Sequence, residues 1–179
     1  MKEEKSYPME VEDFFDRPKI KIETTKSEWI WNFIGYSFFI TALVFLAITW
    51  SKIPDEIPIH FNEFGFVTRV GTKGAYFMMT VIAGVFLPML MQILERFPEM
   101  YIYPKRFNDS NAREFYLVSR KMTYQFKNIV LLIFSYHIMN NISIALDWKS
   151  NLDAFFLPIS VIAISVPVII AIVKYHKIK

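Results

Sequence analysis

The sequence predicts an all-α membrane protein with four transmembrane helices, both termini in the cytoplasm, and a short extracellular turn or hairpin between the first two helices. Three observations favour this class. Hydrophobic residues make up 54% of the chain. Four long apolar runs contain no Asp, Glu, Lys or Arg, and they cover residues 29–50, 75–94, 128–146 and 154–173. Most of the Lys and Arg lie in alternate segments between these runs. Together these features are typical of a multi-pass membrane protein.

The length of each run fits a helical span of the membrane. A helix needs about 20 apolar residues, rising about 1.5 Å each, to cross the hydrocarbon core. In lipid the backbone must satisfy its own hydrogen bonds, and continuous runs without strand-like alternation do so as helices. Residues 1–28 are polar and lack the apolar region of a cleaved signal peptide. They are therefore predicted to be a flexible or peripherally docked cytoplasmic arm ahead of the transmembrane domain, residues 29–179.

The distribution of Lys and Arg predicts the orientation. Sixteen of the 20 lie in the N-terminal arm, in the segment 95–127 and in the C-terminal tail. Four lie in the loop 51–74 and in the short loop after the third run. The positive-inside rule then places both termini and the segment 95–127 in the cytoplasm of a protein in the cell membrane. The loop 51–74 faces outwards in this arrangement.

Pro98 and Pro104 are predicted to stop the second helix, and the rest of the segment 95–127, after an N-cap among residues 108–111, is predicted to join the third span as one continuous helix. Phe115, Val118, Met122 and Phe126 recur at helical spacing, and basic residues lie elsewhere around the axis. This segment is expected to lie against anionic lipid headgroups, with a cytoplasmic regulator or transporter subunit as the alternative partner.

The outward loop has the composition of a compact turn. Prolines at Pro54 and Pro58 fix the backbone at two points, whereas Asn62 and Gly65 tolerate turns and left-handed conformations. The residues on either side of this turn alternate as strands do. A short hairpin over the outer ends of the helices is therefore expected.

His60 is the loop residue that most suggests a functional role, because imidazole titrates near neutral pH and binds metals. A zinc site needs three or four ligands, and only Asp55, Glu56 and Glu63 lie nearby as oxygen donors. The favoured interpretation is a hydrogen bond to the loop backbone, with a direct contact to a ligand as the alternative. No metal site is predicted.

The third run contains three polar residues, His137, Asn140 and Asn141, which lie on one face of a helix. Polar groups at this depth should point into the bundle. They are expected to bond neighbouring helices, and a proton or solute path is the alternative. The candidate hydrogen-bond partners are Asn32, Tyr36, Thr41 and Gln92.

Several function classes are disfavoured by what the sequence lacks. There are no cysteines, which excludes disulfides and thiolate chemistry. Catalytic motifs such as His-Glu-x-x-His, Gly-x-Ser-x-Gly and a phosphate-binding glycine loop are missing. The net charge of +3 follows from the topology, and no basic cluster belongs to a nucleic-acid module. The sequence predicts a binding protein with no catalytic residues, no cofactor and no nucleic-acid partner.

The loop "PDEIPIHFNEFG" and the later Lys73 resemble the motif of a bacterial and archaeal membrane domain family of unknown function. The same domain forms the N-terminal part of SdpI-type toxin-immunity membrane proteins. Thr68 departs from the family pattern, which usually has an aspartate there, and Arg69 replaces a common glycine. The segment "RFPEMYIYPKRFNDSNAREFYLVSRKM" is similar to a second stretch of single-domain members. The matching loop residues are Pro54, Asp55, Ile57, Pro58, His60, Phe61, Asn62, Gly65 and Lys73.

The resemblance implies immunity or signalling towards a membrane-active peptide, such as a peptide toxin, or towards an envelope ligand outside the cell. The loop motif would contact that ligand. An accessory or permease-like transport component is the alternative, and it would use the polar face of the third helix.

Overall fold

The computed structural model describes residues 17–62, 64–148 and 155–179. Its four long helices are α1 (Lys26–Thr49), α2 (Lys73–Leu94), α3 (Ala112–Ala145) and α4 (Phe156–Lys177). All four are long and apolar enough to cross a membrane. The fold class is confirmed to this extent. Most of the predicted arm, residues 1–16, lies outside the described residues.

The loop between α1 and α2 forms the expected hairpin. Strands β1 (Glu56–Phe61) and β2 (Val67–Thr72) pair antiparallel, from Glu56 opposite Thr72 to Phe61 opposite Val67. Because β2 leads directly into α2, the hairpin is continuous with the second helix. We call this side of the bundle the hairpin end, and the opposite side the terminal end.

Helix α3 is the centre of the bundle. It packs against α1, α2 and α4, and 56% of its most apolar 18-residue stretch is buried, against 11% for α4. Its 34 residues rise over about 51 Å, which exceeds the roughly 30 Å of a hydrocarbon core. The amphipathic segment and the third span therefore form one helix, as its spacing predicts. Helix α4 is peripheral.

The main core lies between α1, α2 and α3. Phe39, Phe77, Leu131 and Ile138 are among its buried members. Two residues of the hairpin segment, Ile53 and Ile57, belong to the same cluster. Burial of these isoleucines attaches the hairpin to the helices, since each buried aliphatic side chain contributes about 1.5–3 kcal/mol.

A second buried cluster closes the terminal end. Tyr103, Phe115 and Tyr116 are its main rings, and Ile178 near the C-terminus packs with them. The Tyr103 hydroxyl donates to the Pro98 carbonyl at 2.7 Å. Burial raises the pKa of Tyr103, so this phenol stays protonated at neutral pH and keeps its donor hydrogen.

The described part of the N-terminal arm packs on this second cluster. Arg17 donates to the backbone carbonyls of Glu99 and Tyr101. Ile20 and Ile22 contact the cluster from the same side. The residues between Arg17 and the start of α1 thus connect the arm to the segment that follows α2.

Candidate functional site

The turn of the hairpin is organised by Asn62. Its side-chain Oδ1 accepts hydrogen bonds from the backbone N–H groups of Phe64 at 3.0 Å and Phe66 at 2.9 Å. Gly65 has φ of 81°, in the left-handed region that favours glycine. The expectation that Asn62 and Gly65 form the turn is confirmed by this geometry. Glu63 lies outside the described residues.

The base of the hairpin is held by Lys73. Its Nζ donates to the Ile53 carbonyl at 2.7 Å and to the Trp50 carbonyl at 3.3 Å, and it lies 5.3 Å from the centre of the Trp50 ring. It also forms an ion pair with Asp55 at 3.2 Å. The carbonyls directly after α1 and the first residue of α2 are therefore joined by one side chain. Lys73 and Asp55 fix the hairpin relative to the bundle.

His60 contacts a side chain where a backbone partner was expected. Its Nδ1 lies 2.9 Å from Oγ1 of Thr68 on the facing strand. Thr68 occupies the position where the resembling family usually has an aspartate. A neutral hydroxyl can donate to or accept from imidazole, so the pair is compatible with either tautomer. Within the described part of the chain, no three His, Asp or Glu residues group closely enough to hold a metal ion.

The hairpin presents an apolar surface that the core does not use. Phe64 is 68% exposed, and Phe66, Val67 and Val70 are also exposed. We call these four residues the apolar hairpin surface. Pro54 is exposed, whereas Pro58 and Phe61 are half-buried. Exposed aromatic residues on a fixed hairpin are a feature of recognition surfaces.

A groove of about 340 Å³ lies between the hairpin and α2. Arg69 and Ile59 line it from the hairpin, and Tyr76 and Thr80 line it from α2. With Thr72, which also lines it, the groove combines one cation, three hydroxyl groups and an apolar wall. Such a site suits an apolar ligand that carries an acidic or hydrogen-bonding group.

The three polar residues of α3, His137, Asn140 and Asn141, have hydrogen-bond partners other than those expected from the sequence. His137 Nε2 lies 2.7 Å from the Tyr76 hydroxyl of α2, and the His137 ring stacks on Phe156 of α4 at 5.8 Å. Asn141 donates to the His137 carbonyl at 2.8 Å, and Asn140 is buried beside it. His137 therefore joins three helices, in agreement with an interhelical role.

The partners expected for that trio are engaged elsewhere. Asn32 accepts from Asn128 at 2.8 Å, while Thr41 donates to a carbonyl one turn earlier in α1. The Tyr36 hydroxyl donates to Gln92 at 3.4 Å. These four residues are therefore not the partners that the structure gives to His137 and Asn141. Asn32, Tyr36 and Gln92 lie nearer the terminal end than His137 does.

The sequence interpretation missed a buried ion pair at the terminal end of the bundle. Lys127 of α3 is 0% exposed and Glu95, directly after α2, is 2% exposed. Their charged groups are 2.8 Å apart, and Lys127 also donates to Gln92 at 2.7 Å. Burial raises the pKa of the Glu95 carboxyl, and the charge of Lys127 opposes this rise. The signal available in the sequence was that both residues directly border an apolar run.

A second ion pair lies nearby. Arg120 of α3 contacts Glu28 of α1 at 2.8 Å, and it also donates to the Ile22 carbonyl and to Thr24. Glu28, which the sequence assigned to the arm, is thus part of α1 and buried. The two pairs connect α1, α2 and α3 at one end.

Comparison with known protein families finds a match, and the hairpin lies in the middle of it. Residues 38–84 match the model described as Domain of unknown function (DUF1648). This range covers the second half of α1, the whole hairpin and the first half of α2, and it includes every residue of the loop motif. No curated protein and no solved structure matches the chain.

Proposed function

We propose that the protein is a multi-pass protein of the cell membrane that binds a membrane-active peptide or an envelope ligand through its outward hairpin, in immunity or signalling. The observation that carries the proposal is the fixed hairpin with exposed Phe64 and Phe66. The resemblance of its motif to SdpI-type immunity proteins supports the same role.

The arrangement of the hairpin is suited to binding. Lys73 and the buried Ile53 and Ile57 hold its base, so little conformational freedom is lost when a ligand binds. The groove beside Arg69 extends the apolar hairpin surface with a cation. A peptide that enters the membrane interface could place apolar residues on Phe64 and Phe66 and an acidic group at Arg69.

The terminal end offers a route for signalling. The second cluster combines the described part of the arm, the segment after α2, α3 and the C-terminus. Each of these elements is part of, or adjoins, a helix that is long enough to cross the membrane. Displacement of α2 by a ligand at the hairpin would therefore move Glu95 relative to Lys127 and shift the segment after α2. A cytoplasmic regulator would recognise this shift at the exposed surface of the terminal end.

The proposed orientation predicts opposite labelling of two single-cysteine variants. Phe64→Cys at the hairpin and Ser110→Cys at the terminal end are both exposed positions in a chain without natural cysteines. An impermeant thiol reagent applied to intact cells should label only Phe64→Cys, because the basic segments stay in the cytoplasm. After cell lysis both should react. Labelling of Ser110→Cys alone in intact cells would invert the orientation.

The binding role predicts that Phe64→Ser with Phe66→Ser abolishes protection. Cells that express the protein are challenged with a panel of membrane-active peptides, including peptides encoded by neighbouring genes, and survival is measured at matched membrane abundance. The expected loss follows from removing two exposed aromatic anchors, each worth about 2 kcal/mol or more in a binding hot spot.

The matched control is Met100→Ser with Ile102→Ser. These two apolar residues are similarly exposed but lie at the terminal end, so protection should persist. Immunity would be contradicted if the wild-type protein protected against none of the peptides, or if the hairpin variant protected as well as the wild type.

Transport is the second candidate, and one observation favours it. Tyr76 lines the groove at the hairpin and its hydroxyl contacts His137 inside the bundle. A transport component would need this pair, whereas a binding protein would use it only to hold helices together. Loss of function in His137→Leu at unchanged abundance and melting temperature, with the hairpin variant still active, would replace the binding proposal by transport.

A further inference from the structure

An apolar cavity of about 670 Å³ lies between α3 and α4. Ile129 and Ile133 line it from α3, Ile159, Ala163 and Val166 line it from α4, and Trp31 of α1 borders it. None of its lining residues carries a charge. The volume falls within the roughly 300–1,000 Å³ that is typical of ligand sites.

The cavity lies at the depth of the membrane. Its lining residues belong to the apolar stretches of helices that can cross a bilayer. Such an apolar lining does not favour bound water, because it offers few hydrogen-bond partners. The molecule available at this depth is a lipid, whose acyl chain has the same apolar character as the lining.

The same two helices continue as a narrow groove towards the terminal end. Met122 and Gln125 line it from α3, and Pro167 and Ala171 line it from α4. On α3, Gln125 precedes Ile129 by four residues, so the groove and the cavity lie on the same face of that helix. Val166 and Pro167 are neighbours on α4 as well, so the narrow groove begins directly beyond the cavity along the same two helices.

Two lysines border the groove at its terminal end. Lys121 of α3 and Lys174 of α4 both line it, and both are exposed. Within the described residues, neither forms an ion pair with a carboxylate. From Lys121 to Ile133 the helix rises about 18 Å, close to the thickness of one hydrocarbon leaflet, about 15 Å. The charges and the cavity are thus spaced like the headgroup and chain of one phospholipid.

We propose that this groove is a binding site for one anionic phospholipid, with an acyl chain in the cavity and the phosphate between Lys121 and Lys174. Lysine binds phosphate as a point charge. The charge favours a lipid over a second copy of the chain, because the groove and cavity contain no acidic residue that could pair with the lysines of a partner. The site is independent of the hairpin and of its ligand.

The test compares lipid retention by the full chain in nanodiscs made from equal amounts of phosphatidylglycerol and phosphatidylcholine. Native mass spectrometry after release from the nanodisc reports the lipid that stays bound. The wild type should retain one phosphatidylglycerol selectively. Lys121→Gln with Lys174→Gln should reduce that preference about 25-fold, since each basic residue near an anionic headgroup contributes about fivefold.

Two further variants separate this site from general surface charge. Lys105→Gln with Lys177→Gln removes two other exposed lysines and should leave the preference unchanged. Ala163→Phe fills the cavity and should reduce retention of both lipids while Lys121 and Lys174 remain.

The proposal is overturned if the first double variant keeps the wild-type preference, or if the Lys105 and Lys177 variant loses as much. It is also overturned if the released wild-type protein is a dimer without lipid, because a second copy then occupies the groove. Monomeric elution and unchanged helical circular dichroism are required of each variant. Both double variants change exposed side chains only, which keeps folding intact.

Discussion

Replacing Glu95 by glutamine should lower the free energy of unfolding by about 3–5 kcal/mol, because it leaves the Lys127 ammonium buried without a counter-charge. Lys127 is fully buried and contacts Glu95 at 2.8 Å. The neutral amide can still accept one hydrogen bond, but it cannot offset the desolvation of the charge. Thermal unfolding of the purified protein in detergent at neutral pH measures the loss.

The double variant Glu95→Gln with Lys127→Met should recover much of this loss. Without either charge, only a neutral amide and an apolar chain remain, and such replacements of a buried pair are often close to neutral. Glu114→Gln is the matched control on an exposed acid of α3, with an expected change within about 0.5 kcal/mol. Strictly additive effects of the two substitutions would show that Glu95 and Lys127 do not act as a pair.

The pair also gives the single variant Lys127→Met a characteristic pH dependence. Burial already raises the pKa of Glu95, and loss of the ammonium removes the main opposing influence. A carboxyl whose pKa is raised by folding stabilises the fold below its unfolded pKa, and this contribution is lost as pH rises through the folded pKa. The melting temperature of Lys127→Met should therefore fall relative to the wild type as pH rises above about 4.3. A constant difference across that range would contradict the assignment.

The features that follow from local sequence were predicted correctly. Charge-free runs of sufficient length gave the four helices, because the hydrocarbon core imposes the length and the backbone imposes the helix. Asn62 and Gly65 predicted the hairpin turn. The Asn62 oxygen accepts two backbone N–H groups and Gly65 has a positive φ, and both properties depend on only a few neighbouring residues. Both predictions needed no knowledge of how distant segments meet.

The contacts between distant residues were not predicted. His137 and Tyr76 are 61 residues apart, and Lys127 and Glu95 are 32 apart. Their pairing depends on the rotation and depth of each helix in the bundle, which apolar runs leave undetermined. Glu95 and Lys127 resembled ordinary flanking charges because both adjoin an apolar run. Continuation of α3 as one helix brings Lys127 into the bundle, where a charge requires a partner.

The close approach of α1 and α3 rests on a glycine that the sequence alone did not single out. A Cβ built at Gly35 would overlap Oδ1 of Asn128 and lie 3.1 Å from its Cγ. Asn128 is fully buried, and its Nδ2 donates to Asn32 at 2.8 Å and to the Tyr124 carbonyl at 2.7 Å. The amide therefore has little freedom to move away. Small residues at such contacts let helices in membranes approach closely.

Gly35→Ala should therefore destabilise the protein by about 1–3 kcal/mol through overpacking, although alanine favours a helix. Gly74→Ala is the matched control, because a Cβ there meets nothing within 4 Å, and its melting temperature should equal or exceed that of the wild type. Each variant is compared by thermal unfolding in the same detergent.

A double-mutant cycle with Asn128→Ala identifies the cause. If the clash with the Asn128 amide produces the loss, Gly35→Ala should have a smaller effect when Asn128 is already alanine, because the overlapping oxygen is gone. An equal effect in both backgrounds would place the clash elsewhere on α3. If the Gly35→Ala protein were as stable as the wild type, α1 and α3 would have to be farther apart. The hydrogen bond between Asn32 and Asn128 would then not hold the two helices this close.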